Sequence, residues 1–110
     1  SHIHFPSLAY NYPIRLVIYN LGYLPGSNKK ITTVTEDTLK SLNAALELIM
    51  PSGLITICCY PGHAEGAKEQ SFLVQKVQEL SSAEYAICHH TWPNKHASAS
   101  LLLIQKKNSY

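Results

Sequence analysis

At 110 residues, the chain holds one small domain or part of a larger one. Apolar residues make up 45% and charged residues 15%, which excludes a disordered polar segment and demands a buried core. A net charge of +2 is too weak to require a nucleic-acid partner and does not exclude one.

Ile14-Arg15-Leu16-Val17-Ile18-Tyr19, preceded by Pro13, is a compact β-branched run and reads as a buried strand. Residues 20–34 hold two glycines, a proline and polar side chains, and read as a long loop. A helix is predicted from about Thr35 to Met50. Thr35 would be its N-cap, Glu36 and Asp37 would favour its positive end, and Leu39, Leu42, Leu46 and Ile49 would form one apolar face. Pro51-Ser52-Gly53 would end it.

The run Leu54-Ile55-Thr56-Ile57-Cys58-Cys59-Tyr60 is almost continuously apolar, as expected of a central parallel strand covered on both faces. Pro61 to Gly66 reads as a loop. A second helix follows from about Ala67 to Leu80, burying Leu73, Val74, Val77 and Leu80. Tyr85 to His89 and Ser100 to Gln105 read as two closing strands, joined by Thr91 to Ala99. The alternation predicts an α/β fold with parallel strands and two helices. The last two strands have no helix between them and should be antiparallel.

Three cysteines without framework spacing (Cys58, Cys59 and Cys88) fit a reducing compartment, with Cys58 and Cys59 on opposite sheet faces. No apolar run reaches the roughly 20 residues of a membrane helix, and Ser1-His2-Ile3-His4 is no signal peptide. The expectation is a soluble cytoplasmic protein without membrane partners, with an organelle also open. His2 and His4 could share a strand face but lack a third ligand, and His89 and His90 would point to opposite faces of a regular strand, so no metal site is expected. Lys29-Lys30 and Lys106-Lys107 read as solvated ends of elements.

Two loops should leave the carboxyl ends of parallel strands, where open α/β sheets bind ligands: Asn20-Leu21-Gly22-Tyr23-Leu24-Pro25-Gly26 and Tyr60-Pro61-Gly62-His63. Each combines a glycine that permits close approach, a stiffening proline, an aromatic that can stack, and a polar group that can orient a ligand. His63 reads either as a general base or as a cap on the following helix. Glu69 reads either as a partner for an amine or Lys30, or as a solvated helix residue. Tyr60 lines a pocket or packs in the core.

The stretch Asn20-Leu21-Gly22-Tyr23 resembles the Asn-Pro-Pro-Tyr loop of amino-group methyltransferases. Together with Pro25-Gly26, Ile31-Thr32-Thr33, Tyr60-Pro61-Gly62-His63, Gly66 and Glu69, it resembles the YtqB-like group named as rRNA methylases and also known as MnmM. The likeness runs from Ser1 to about Lys107. It implies the C-terminal half of a Rossmann-like class I sheet, whose parallel strands end in an antiparallel hairpin. It also implies S-adenosyl-L-methionine as cofactor and an amine of a modified tRNA nucleoside, a wobble aminomethyl-uridine, as target.

On that resemblance Asn20, Tyr23 and His63 are catalytic, and Asn20, Leu21 and Gly22 touch the cofactor. Tyr60, Pro61, Gly62, Glu69 and Asn94 meet the substrate. The family carries a Gly-rich loop and an acidic residue upstream that hold the cofactor, and this sequence supplies neither. Where the family has prolines after its last asparagine, Ala97-Ser98-Ala99 follows Asn94.

The expectation is therefore a single partial domain, residues 1–110, lacking its N-terminal cofactor-binding half. Residues 14–19 would then form an exposed edge that pairs with the missing half or with another copy. The alternative function is that of an inactive, truncated remnant that serves as a binding or interaction module.

Overall fold

The computed structural model describes residues 13–21, 31–60, 64–95 and 99–108. In chain order it contains β1 (Ile14–Leu21), α1 (Ile31–Leu48), β2 (Ile49–Cys59), α2 (Ala64–Gln78), β3 (Tyr85–His90) and β4 (Ser100–Lys106). The sheet order is β1-β2-β4-β3. Strand β1 pairs parallel with β2, while β4 pairs antiparallel with both β2 and β3. Strands β1, β2 and β3 therefore point one way and β4 the other. The expected α/β architecture, with its closing antiparallel pair, is present.

The boundaries depart from the sequence reading in several places; α2 starts at Ala64, inside the expected loop Pro61 to Gly66, and ends at Gln78, and β1 runs on to Leu21. The first helix begins at Ile31, so Thr35 lies inside it and is not its cap. Ile31 to Val34 are all β-branched and have weak helix propensity, so nothing in them marked them off from the Gly- and Pro-containing loop before them. The helix also stops at Leu48, because Ile49 pairs with Ile14 and opens β2. The expected turn at Pro51-Ser52-Gly53 lies within β2 as a register shift: Ile14 faces Ile49, yet Leu16 already faces Leu54. Ser52 takes a left-handed φ of 71° there. Gly53 has no room for a side chain, since a Cβ would stand 2.7 Å from the Met50 carbonyl oxygen.

Strand pleating puts Val17, Tyr19 and Leu21 on the same face as Ile55, Ile57 and Cys59, and those on the face of Leu102 and Ile104. The core forms here, with Leu42, Ala45 and Leu46 of α1 and Leu73 and Val77 of α2 packed onto it. Each crossover joins strands of the same direction while moving the same way across the sheet. Right-handed crossovers then put both helices on one side. The expectation that β2 is covered on both faces is thus corrected. Ile55 and Ile57 are fully buried, but Leu54, Thr56 and Cys58 are half-buried. On the same open face of β1, Leu16 is 52% exposed and Ile18 69%.

Polar ties fix the helices to the sheet. The Tyr19 and Ser41 hydroxyls lie 2.7 Å apart, joining β1 to α1. Lys106 Nζ donates to the carbonyls of Leu46 and Ile49 at 3.1 and 3.2 Å, placing a cation at the negative end of α1.

Candidate active site

The strand directions bring three chain exits to one rim. Leu21 at the end of β1 faces Cys59 at the end of β2, Cys59 faces Ser100, and Leu101 faces His90 at the end of β3. The segments 22–30, 60–63 and 91–99 thus all depart from the carboxyl edge of the parallel strands. Gly22, Tyr23, Pro61, Gly62 and His63 lie outside the described residues; the described part of the site comprises Asn20, Leu21, Tyr60, Glu69 and Asn94 with their surroundings.

Asn20 is exposed and sits in register with Cys58, on the open face of the sheet. Leu21 alternates to the other face and packs against the core. Tyr60 is 40% exposed, so it lines the rim rather than the core. Its phenol hydrogen-bonds the Cys58 thiol, which is the main reason its pKa rises above the usual tyrosine value. Asn20, Cys58 and Tyr60 therefore form one polar and aromatic group at the ends of two adjacent strands.

Glu69 is half-buried in α2, and burial pushes its carboxyl above the ordinary carboxylate range. Its charge reaches Cys59, whose thiol is pushed up to about 11, first by burial, then by Glu69 and Cys58. Cys59 points to the helix-covered face, so Glu69 acts on the side of the rim opposite Asn20 and Tyr60. Asn94 is exposed in the β3–β4 connection, where the Lys95 N–H donates to the Trp92 carbonyl at 3.0 Å.

One network was not foreseen in the sequence. Buried Ser100 donates its hydroxyl proton to Gln70 Oε1 at 2.7 Å. Its oxygen is then left to accept from His89 Nε2 at 3.2 Å. This chain links β3, β4 and α2 just below the rim. No sequence signal marks it, because a serine, a glutamine and a histidine at unrelated spacings share nothing until the sheet pairs them. Among the described residues, no group of three or more His, Cys, Asp or Glu side chains could hold a metal ion. No helix among them is long and apolar enough to cross a membrane.

Known proteins resemble this chain in sequence and in fold. A tRNA (mnm(5)s(2)U34)-methyltransferase, chloroplastic, of Arabidopsis thaliana is 33% identical over 99 residues, covering 90% of this chain and 36% of that protein. A structure described as a putative rRNA-methylase, from Clostridium thermocellum, superposes with a TM-score of 0.75 at 28% identity, covering 86% of this chain and 51% of the other. A putative methyltransferase from Streptococcus mutans, solved in complex with SAH, gives a TM-score of 0.71 at 27% identity with the same coverage. The chain thus spans about a third of the curated relative and half of each solved one. The family described as "Putative rRNA methylase" matches residues 1–106. By that match over nearly its whole length, with four strands and two helices in the arrangement of the solved relatives, the chain belongs to this rRNA methylase family.

Proposed function

We propose that this chain is the target-recognition portion of an S-adenosylmethionine-dependent methyltransferase acting on an amine of a modified tRNA nucleoside, a wobble aminomethyl-uridine. The observation that carries the reading is the shared rim: Asn20 stands exposed at the end of β1, one strand away from Tyr60 at the end of β2. The tRNA methyltransferase relative supports the RNA target, and the SAH-bound neighbour supports the cofactor class.

In this reading the Asn20 side-chain oxygen accepts a hydrogen from the target amine and aims its lone pair outward. Tyr23 and Tyr60 hold the base, with Pro61, Gly62 and Asn94 shaping its pocket and Glu69 adding negative charge behind it. His63 takes the proton that the methylated amine releases. S-adenosylmethionine, when bound, supplies the electrophilic methyl, so the work of these residues is positioning. Asn20, Leu21 and Gly22 would meet one side of that cofactor. The residues described offer no glycine-rich cradle for its remainder, which fits a domain whose other half lies on a further segment or a second polypeptide.

The open edge of β1 is where that half would pair, or where a second copy would. Its exposed apolar face also favours a second reading, a catalytically inactive remnant that works as an interaction module. The relative is chloroplastic, so an organelle is as compatible as the cytoplasm.

Calorimetric titration with S-adenosylmethionine, done on the chain completed with an N-terminal half, separates the two readings: saturable binding supports the enzyme portion, and its absence supports the remnant. In the enzyme completed with an N-terminal half, Asn20→Ala should lower kcat for methyl transfer to tRNA by about 100-fold or more through lost alignment. Unchanged turnover would refute the role given to Asn20.

A further inference from the structure

Trp92 is the only tryptophan of the chain and is 63% exposed, although aromatic rings of its size are usually drawn into cores. It is held, not dangling. The Lys95 N–H closes a turn onto the Trp92 carbonyl at 3.0 Å, and Pro93 occupies the second position, where its fixed φ suits such a turn. A ring that stays in solvent on a braced backbone loses little entropy when something stacks on it.

Its position narrows the choice of partner. The turn follows the carboxyl end of β3, on the same rim as Asn20 and Tyr60. Strand β4 alone separates β3 from β2, so at ordinary strand spacing the two aromatic-bearing exits stand about 10 Å apart. From Tyr85 to Tyr110 the sequence contains no Asp or Glu, while Lys95 lies in the turn and His89 and His90 end the strand before it. An exposed aromatic in a segment of cationic and hydrogen-bond-donating side chains suits a polyanion that also carries flat rings. Unpaired RNA bases are recognised in that way, by stacking on aromatics while basic groups meet phosphates.

We propose that Trp92 is a stacking platform for an unpaired base of the RNA substrate, flanking the nucleoside presented to Asn20 and Tyr60. This rests on the reading of the chain as part of an RNA methyltransferase and adds to it a residue that makes no contact with the reacting amine.

The single tryptophan supplies the readout. An anticodon stem-loop oligoribonucleotide is titrated into the chain while Trp92 emission is followed, with a fully paired RNA duplex of equal length as the comparison. Affinity is measured in parallel by polarisation of labelled RNA. The stem-loop should quench the emission saturably, and the duplex should not. Trp92→Ala should weaken stem-loop binding by about five-fold or more, and Trp92→Phe should restore most of it. Circular dichroism and melting of both variants should match the wild type, because the ring lies outside the core. If the wild type binds the stem-loop and Trp92→Ala binds it equally well, the stacking proposal is overturned while the RNA reading survives. If the wild type binds no RNA, the RNA reading fails and takes this proposal with it. Emission that changes with protein concentration before RNA is added would assign Trp92 to a contact between copies and also overturn the proposal.

Discussion

Ser100 donates to Gln70 across 2.7 Å and thereby ties the first residue of β4 to the second turn of α2. The same hydroxyl oxygen receives His89 of β3, so a single buried serine joins three elements beneath the rim. Ser100→Ala removes both links and leaves the Gln70 carbonyl short of a donor. The variant should lose about 1–2 kcal/mol of stability. Chemical denaturation would measure it, and an unchanged midpoint would mean that the network contributes nothing.

Gly53 tests the register shift of β2. A Cβ there would meet the Met50 carbonyl oxygen at 2.7 Å and the Ile49 Cβ at 3.2 Å, and backbone atoms cannot give way as a flexible side chain can. Gly53→Ala should destabilise the chain by roughly 1–3 kcal/mol, which is a melting-temperature drop of several degrees for a domain of this size. A rise in melting temperature, as expected where alanine merely stiffens the unfolded chain, would contradict the described packing.

Glu69 should make stability depend on pH. Burial raises its carboxyl above the ordinary 4.5, so the folded chain holds that proton more tightly than the unfolded chain does. Its contribution is fully present below the unfolded value and is lost as pH rises through the folded one. Glu69→Gln removes the titration. The variant should gain on the wild type as pH rises from about 4 to 7, with the two melting curves closest at the acid end. A gap between variant and wild type that is constant with pH would show that Glu69 is not desolvated in solution.

Leu16 and Ile18 put apolar surface on the open face of an edge strand, a combination that invites pairing. The isolated chain should elute as a dimer or larger species in size-exclusion chromatography with light scattering. Ile18→Lys should shift it towards monomer at a stability cost within about 0.5 kcal/mol, because the side chain is already mostly in solvent. A wild-type monomer at high concentration would rule out association through this strand.

The element order was legible in the residues. Ile14 to Tyr19 and Leu54 to Cys59 form strands, in which their apolar and β-branched side chains pack on a pleated surface. Leu42, Leu46, Leu73 and Val77 point inward because their spacing follows the helical turn. The rim location of Asn20 and Tyr60 also followed, since ligand loops leave the carboxyl ends of parallel strands. The local failures differ in kind: Ile31 to Val34 are helical against their β-branched propensity, whereas Ile49 leaves the helix to pair with Ile14.

Local pattern acts over a few residues, and so it settled which segments became strands or helices but not which strand face is covered. Sheet order and crossover handedness put both helices on one face and leave Leu16 and Ile18 bare. The same sheet order sets Asn20 beside Cys58 and brings Ser100 to Gln70, contacts between residues far apart in the chain.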